Sequence, residues 1–517
     1  MNADVLHRSR VGLTATLLAV VVAACQTGGL EPKGDTSLYG RIDRYVQQEV
    51  DASRMPGVAV AIVQGGDVVH QRGFGHDGNG RPITPTTPFP IGSLTKSFTA
   101  LAIRQLSEAG AIGLDDAVQR HIPWFRVADA DASPRITVRH LLNQTSGFSR
   151  ASGIQPLLDD APASLKDLVR GLASTPLNRP VGESYAYSNL NFVVLGLLVE
   201  TITGQPWGTY IERQIFAPLG MTHSFTTFDA AERMGMTALH RYWFGVPVRS
   251  ALEYQPELAP TGYLVASVED MARYLTVYLD HRPAPAAALL SVAGIEGMLT
   301  PATNEVTVPL LSQPFTVRYG EGWFVGPFGA ARDARWHLGE LPSFAAWMVL
   351  LPESNLGVVV LTNIGSQMAI AGGNSALSRL PQGIVNILRG APPPAGISVT
   401  RFYVMFDVAA LAALAALAWY LVRLPRSDHA RATSIRDGSG SRRPVRNLLA
   451  LGAGLGAAAL ILLGAPALTG TSWTTMWYVV PDLTLVLLAL AILCAACGIM
   501  RAVRGSGLLT SRRLPTR

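Results

Sequence analysis

The chain has 517 residues, 49% of them hydrophobic and only 15% charged, with a mean hydropathy of +0.26; ordinary soluble domains carry about 25% charge, so disordered, coiled-coil and collagen-like classes are excluded and part of the chain belongs in a membrane. The net charge of +6 is unevenly spread: residues 401–517 hold 13 arginines and no lysine against four aspartates, a net of +9, and residues 26–400 are left at −4. The pI of 9.3 therefore belongs to the tail and gives no argument for nucleic acid binding.

The N-terminus carries Arg8 and Arg10 and then a 14-residue apolar run, Val11–Ala24. Such a run is too short to cross about 30 Å of hydrocarbon and fits the apolar region of a signal peptide. It ends Val22-Ala23-Ala24-Cys25, which resembles a bacterial lipobox, so Cys25 is the expected lipidation site. A plain signal peptide cut nearby is compatible with the same small residues. Either way residues 1–25 act as the signal, and the following domain, 26–390, is expected outside the cytoplasm.

Within that domain, Leu38, Ile42, Tyr45 and Val46 fall at helical spacing over 37–51. Two β-rich runs, GVAVAIVQ from Gly57 and DVVHQRG from Asp67, meet at Gly65-Gly66, a hairpin signal. A helix is expected over 97–108. From 115 to about 310 the chain reads as helices and Pro/Gly-rich loops. Strand patterns return at 315–325, 344–351 and 356–362, and a helix near 375–389 closes the domain. Strands at both ends with a helical middle predict an α+β sandwich: one antiparallel sheet built from the two ends, flanked by helices, with a helical insertion. The only cysteines are Cys25, Cys494 and Cys497, so the domain has no disulfide framework. Its histidines show no ligand spacing, and neither a metal nor a cofactor is expected.

A Pro-rich linker at 391–400 leads to three apolar stretches, about 402–422, 448–468 and 476–500, each near the ~20 residues that span a bilayer. The link Arg423–Arg446 carries seven arginines and the tail 501–517 five more, whereas 469–475 has no charge. The positive-inside rule then puts 26–400 outside and the C-terminus in the cytoplasm of a bacterial cell. This bundle of three transmembrane helices makes membrane lipid a partner. Asp407 and Asp482 fall near the outer ends of their spans, where interfacial solvation is expected. Cys494 and Cys497 read as small apolar residues facing lipid or a helix.

The chemistry-bearing residues begin with the lysines. Only three occur among 42 basic residues, and one is Lys96, in Pro90-Ile91-Gly92-Ser93-Leu94-Thr95-Lys96. Ser93 and Lys96, three apart at a helix start, share a face. A neutral lysine amine can take the serine proton, which arginine cannot do. The helix start also offers backbone N–H groups to a developing oxyanion. Alone this spacing is weak, and Ser93 is also compatible with a helix cap. Further along, Tyr187-Ser188-Asn189 sits in a short extended segment before an apolar helix, with Tyr187 and Asn189 able to point the same way. Trp336-His337-Leu338-Gly339 lies on a strand near the end of the domain.

Ser93-x-x-Lys96, Tyr187-x-Asn189 and His337-x-Gly339, in this order, resemble the serine β-lactamase-like family of class C β-lactamases, D,D-peptidases and related esterases. The segments Ile136–Phe148, Tyr319–Trp323 and Leu356–Asn363 support the likeness, which covers about 37–390. The resemblance implies that Ser93 is acylated, that Lys96 eases its deprotonation, and that Tyr187 passes the proton to the leaving group. It further implies that Asn189 orients the substrate and that the N–H groups of Ser93 and Glu340 form the oxyanion hole. His337 and Gly339 would bind substrate beside them, although His337 is also compatible with a hydrogen-bonded strand histidine. Where the family often has Lys-Thr-Gly, this chain has His337-Leu338-Gly339, and Glu340 adds a carboxylate. The expected substrate is a small molecule or a peptidoglycan-type peptide, with esterase or peptidase action favoured over efficient β-lactam hydrolysis. The alternative is an inactive family member serving as a membrane-tethered binding protein.

Overall fold

The computed structural model describes residues 36–157, 164–279, 289–303, 306–308, 315–366, 376–432, 442–469 and 472–505. The expected signal peptide, Cys25 and the end of the basic tail lie outside the described residues, as does the middle of the arginine-rich link. The chain divides into two compact units, residues 1–44 and 45–517; of the first, the described part is 36–44.

The elements that position the site are, in chain order, helix α1 (Leu38–Ser53), strands β1 (Gly57–Gln64) and β2 (Asp67–Gly75), and helix α2 (Thr95–Glu108), entered through a single 3₁₀ turn, Gly92–Leu94. There follow α3 (Arg150–Ile154), α4 (Asn189–Thr203), β3 (Leu239–Trp243), β4 (Val246–Ser250) and α5 (Val268–Leu279). Then come β5 (Val306–Val308), β6 (Phe315–Tyr319), β7 (Phe324–Phe328), β8 (Ala331–Leu341), β9 (Phe344–Leu351), β10 (Leu356–Thr362), β11 (Ile364–Gly365) and α6 (Ala376–Leu388). The C-terminal block is α7 (Val399–Ala432), α8 (Arg442–Thr469), α9 (Trp473–Val479) and α10 (Pro481–Gly505).

Eight strands form one sheet in the order β2-β1-β10-β9-β8-β7-β6-β5. Its middle joins the two ends of the domain: Val58 faces Thr362 and Val63 faces Gly357 across an antiparallel ladder. This is the sheet the sequence pattern predicts. The turn between β1 and β2 places Gly65 and Gly66 at φ 59° and 87°, the paired left-handed geometry of a tight hairpin that glycine adopts freely. Strands β9 and β10 are buried along their whole length, which explains their unbroken apolar sequence: α5 packs on both strands and α6 on β10. Helix α4 is apolar around its circumference because it runs through the middle of the helical layer, with ten of its residues buried.

Two expectations need correction. The stretch 115–310 is not only helix and loop, since β3 and β4 form a hairpin there, turned at Phe244 (φ 45°) and Gly245 (φ 73°). It extends β11 in a second, three-stranded sheet. The third apolar stretch does not begin at Met476: α9 ends at Val479, and Pro481, which has no N–H to donate, starts a new helix.

Among the described residues, three helical segments are long and apolar enough to cross a membrane: Val399–Val422, Asn447–Thr469 and Pro481–Val503. Helices α8 and α10 cross at glycines; a Cβ on Gly454 would stand 2.6 Å from the Gly498 Cα, so the backbones touch. Cys497 is buried against α7, its sulfur 3.9 Å from the Leu417 carbonyl oxygen. Asp482 is not solvated as expected. It is 2% exposed and accepts a hydrogen bond from the Phe244 backbone N–H at 3.0 Å.

Candidate active site

Ser93 stands in the 3₁₀ turn that opens α2. The turn requires Gly92 at φ 54°, and a Cβ there would lie 3.0 Å from the Glu340 nitrogen. Gly339 is the reciprocal case: any Cβ would run into the Ile91 carbonyl and lie 2.8 Å from the Ser93 nitrogen. The two glycines thus let β8 and the turn approach backbone to backbone, which brings the Ser93 and Glu340 nitrogens to one spot. Strand β7 pairs with β8 only as far as Trp336. Beyond it, the edge of His337–Leu341 away from β9 lies open to Ser93.

The Ser93 hydroxyl caps no helix: the α2 cap is Leu94 and the turn's is Ile91, neither with a side-chain bond. It is instead held between two groups. Tyr187 donates its phenolic hydrogen to Ser93 Oγ at 2.8 Å, and Lys96 Nζ stands 2.9 Å from the same oxygen. Lys96 also donates to the Thr261 carbonyl oxygen at 2.7 Å. The lysine side chain is fully buried, with the Tyr187 and Phe192 rings 5.0 and 5.7 Å from its nitrogen. Burial holds its pKa well below the ordinary lysine value, because a charged amine loses its water there and no carboxylate among the described residues pairs with it. Burial likewise lifts the Tyr187 phenol, against the opposing hydrogen bond to Ser93. Burial therefore disfavours the charged form of both groups that flank the serine, an amine and a phenol.

Tyr187 reaches this position because its segment is bound from two sides. Gln144, in the left-handed region at φ 60°, accepts from the Ser188 N–H at 2.9 Å and from Asn191 Nδ2 at 2.5 Å. Ser146 donates to Asn191 Oδ1 at 2.5 Å. On the other side, Asn189 Nδ2 donates to the Gly153 carbonyl at 3.0 Å, and a Cβ on Gly153 would stand 2.6 Å from the Asn189 nitrogen. Asn189 thus ties its segment to α3 through one N–H of its amide.

His337, expected at the substrate surface, is 1% exposed and lies beneath it. Its Nδ1–H meets the Leu338 carbonyl at 2.7 Å, and the Tyr319 hydroxyl lies 3.4 Å from Nε2. Burial, and then the positive charge that Lys96 carries once protonated at low pH, push its pKa from 6.5 down to about 3, with the Leu338 hydrogen bond opposing. The Leu338 hydrogen bond is the one a strand histidine makes, and the Tyr187 ring, 6.3 Å away, keeps His337 next to the Ser93 site. A histidine neutral when folded, but protonated near pH 6.5 when unfolded, withdraws stability as pH falls from 6.5 toward 3, by up to about 1.4 kcal/mol per pH unit. His337→Met should therefore flatten the fall in Tm between pH 6.5 and 4; an unchanged slope would put that titration on other residues.

The sequence reading missed the Thr261 carbonyl, Gln144 and the role of Tyr319. A backbone carbonyl leaves no mark in a sequence, whereas Tyr319 and Gln144 lie inside segments that support the family likeness. Among the described residues no group of three or more His, Cys, Asp or Glu side chains converges as a metal site.

The family described as Beta-lactamase matches residues 42–377. The protein flp of Staphylococcus aureus is 28% identical over 331 residues, which are 63% of this chain and 63% of that protein. The unguisins hydrolase ungD' of Aspergillus campestris is 27% identical over 335 residues, 62% of this chain and 60% of that one. The chain thus spans less than two thirds of the length of these curated relatives. Among solved structures, an octameric penicillin-binding protein homologue from Pyrococcus abyssi superposes with a TM-score of 0.59 at 27% identity, over 69% of this chain and 78% of its own. EstCE1, a hydrolase with promiscuous acyltransferase activity, gives 0.57 at 22% identity, over 68% and 99%. A class C beta-lactamase gives 0.55 at 17%, over 65% and 94%. The last two are alike in fold.

Proposed function

The chain belongs to the beta-lactamase family, and from that membership we propose that it is a membrane-anchored serine hydrolase working through an acyl-enzyme on Ser93. The observation that carries the reading is the Ser93 oxygen held at 2.9 Å from a buried lysine nitrogen and 2.8 Å from a phenol. Lys96, neutral through burial, takes the Ser93 proton as the oxygen attacks the substrate carbonyl. The negative charge that develops on that carbonyl oxygen is met by the N–H groups of Ser93 and Glu340. Tyr187 delivers a proton to the leaving group, and Lys96 returns one to Tyr187. Water then attacks the acyl group by the same route, and Ser93 is released. The arginine-rich link and tail favour the orientation with this domain outside the cytoplasm.

A fluorophosphonate probe followed by mass mapping tests the assignment. Label on Ser93 is expected; label on another residue of the folded protein would overturn it.

The substrate class follows from what lines the open edge of β8. Leu338 offers no hydroxyl to a substrate carboxylate, and the Glu340 charge already acts on Tyr187. A missing partner for a charged group typically costs about 1.5–3 kcal/mol, or about ten- to a hundredfold in rate. Neutral esters should therefore be hydrolysed faster than penicillins or D-Ala-D-Ala peptides. Leu338→Thr should shift the ratio toward the carboxylate-bearing substrate, read as kcat/KM for a p-nitrophenyl ester against a chromogenic cephalosporin. A wild type that prefers the cephalosporin, or a ratio that does not move, contradicts this.

A further inference from the structure

The β3–β4 hairpin carries an apolar turn, Trp243-Phe244-Gly245-Val246. Phe244 is 38% exposed, Val246 51% and Val248 40%, an unusual cluster on a domain whose other large apolar side chains are mostly covered. The turn lies against two of the apolar helices. The Phe244 N–H donates to Asp482 Oδ2 at 3.0 Å, and the Arg241 guanidinium donates to the Tyr478 carbonyl at 2.9 Å. A Cβ on Gly245 would stand 2.7 Å from the Tyr403 Cβ.

Those contacts fix its depth. Asp482 is the second residue of the span Pro481–Val503, and Tyr403 the fifth of Val399–Val422. At about 1.5 Å per residue, the turn is level with the first ~6 Å of both spans. The headgroup layer on each side of a bilayer is of that thickness, and it is where exposed aromatic side chains collect. Trp477 on α9, 49% exposed, lies in the same band.

The same junction borders the candidate active site. Pro342 lines a cavity with Arg241, Tyr242, Gly365, Tyr403 and Asp482. Pro342 follows Glu340 by two residues, about 7 Å along an extended chain. The edge of β8 that faces Ser93 therefore ends at the membrane junction.

We propose that the β3–β4 turn is seated in the headgroup layer of the membrane crossed by α7, α8 and α10, and that the enzyme takes an amphiphilic ester whose apolar tail remains in that membrane. The occupant of the apolar turn is lipid, by continuity with the spans it is bonded to. The substrate half of the proposal rests on the hydrolase reading above. A cleft beside the bilayer receives a carbonyl held at the surface by its own chain, without first extracting it into water.

The test uses the full chain in phosphatidylcholine nanodiscs. Two substrates carry one chromophore: a water-soluble butyrate ester and a palmitate ester dissolved in the bilayer. The variant is Phe244→Asn with Val246→Thr, residues chosen because asparagine tolerates a positive φ and threonine keeps the strand. Its kcat/KM should fall at least about fivefold for the palmitate ester and stay within about twofold for the butyrate. Equal change for both esters, or none, overturns the substrate claim. Seating is read without activity. Val246→Cys, in a chain whose three cysteines are serine, is labelled with a fluorophore and exposed to lipids bearing a headgroup nitroxide. Strong quenching is expected; a probe left unquenched, in water or covered by a second copy, overturns it. If the wild type hydrolyses neither ester, the hydrolase reading fails, and the substrate claim with it, while quenching still decides the seating.

Discussion

Ser93→Ala is expected to lower kcat/KM for an activated ester by about 10⁵-fold while leaving Tm nearly unchanged. Removing the nucleophile of an acyl-transfer site costs on this order, and the residual rate comes from the oxyanion donors and binding. Those donors stay in place, because Gly92 and Gly339 set the approach of the turn to β8 and the serine side chain plays no part in it. Lys96 keeps its bond to the Thr261 carbonyl. The partly buried hydroxyl is a single small group, so its loss leaves no sizeable cavity. Retention of more than about a hundredth of the wild-type rate would mean that another group attacks the substrate.

Lys96→Arg should cost about 10³-fold, the range typical of a lost general base, and be nearly as damaging as Lys96→Ala. Guanidinium cannot deprotonate in a protein and is larger than a site enclosed by Tyr187, Phe192 and the Thr261 carbonyl. Since a buried charge can unfold the variant, Lys96→Met is the companion: apolar, similar in volume and equally unable to take a proton. The sign of the pH effect follows from burial. The unfolded lysine holds its proton up to about 10.5, and the folded one releases it at lower pH. Between the two values the unfolded state binds more protons, so this residue makes stability rise with pH. Lys96→Met should remove that slope and raise Tm at neutral pH while abolishing turnover. In the wild type, kcat/KM should climb as pH rises through the folded lysine pKa. Substantial activity in both variants would remove Lys96 from the proton path.

The strands β1, β9 and β10 were legible because strands buried on both faces read as short unbroken apolar runs, and the β1–β2 turn because two adjacent glycines need positive φ. The Ser93–Lys96 and Tyr187 segments were legible because side-chain chemistry at fixed spacing survives in a sequence. The β3–β4 hairpin was not. Its strands are five residues each, one interrupted by Pro247, and its turn pairs phenylalanine with glycine, so neither alternation nor turn composition marks it. The burial of His337 was not legible for a different reason. A sequence shows the residue and its strand but not which side faces water; the Phe324, Tyr319 and Tyr187 rings packed around its imidazole decide that. Asp482 looked like a solvated end because its partner, a backbone N–H on a hairpin more than 200 residues earlier, has no sequence signature.

The join between β1 and β10 also governs how the chain comes to fold. Ala59 faces Leu361, so β1 must wait for about 300 further residues before its central neighbour exists. At about 5–20 residues per second of synthesis that wait is roughly 15–60 s, during which an apolar strand edge stays open to wrong partners. Contacts this distant in sequence also form slowly once both strands are present. The first helix long and apolar enough to cross a membrane begins at Val399, within about 40 residues of Thr362, so closure of the sheet and emergence of that helix fall into the same short interval. A product ending before β10 would leave β1 bare and prone to aggregate; any shortened version of the beta-lactamase-family domain has to run at least through Thr362.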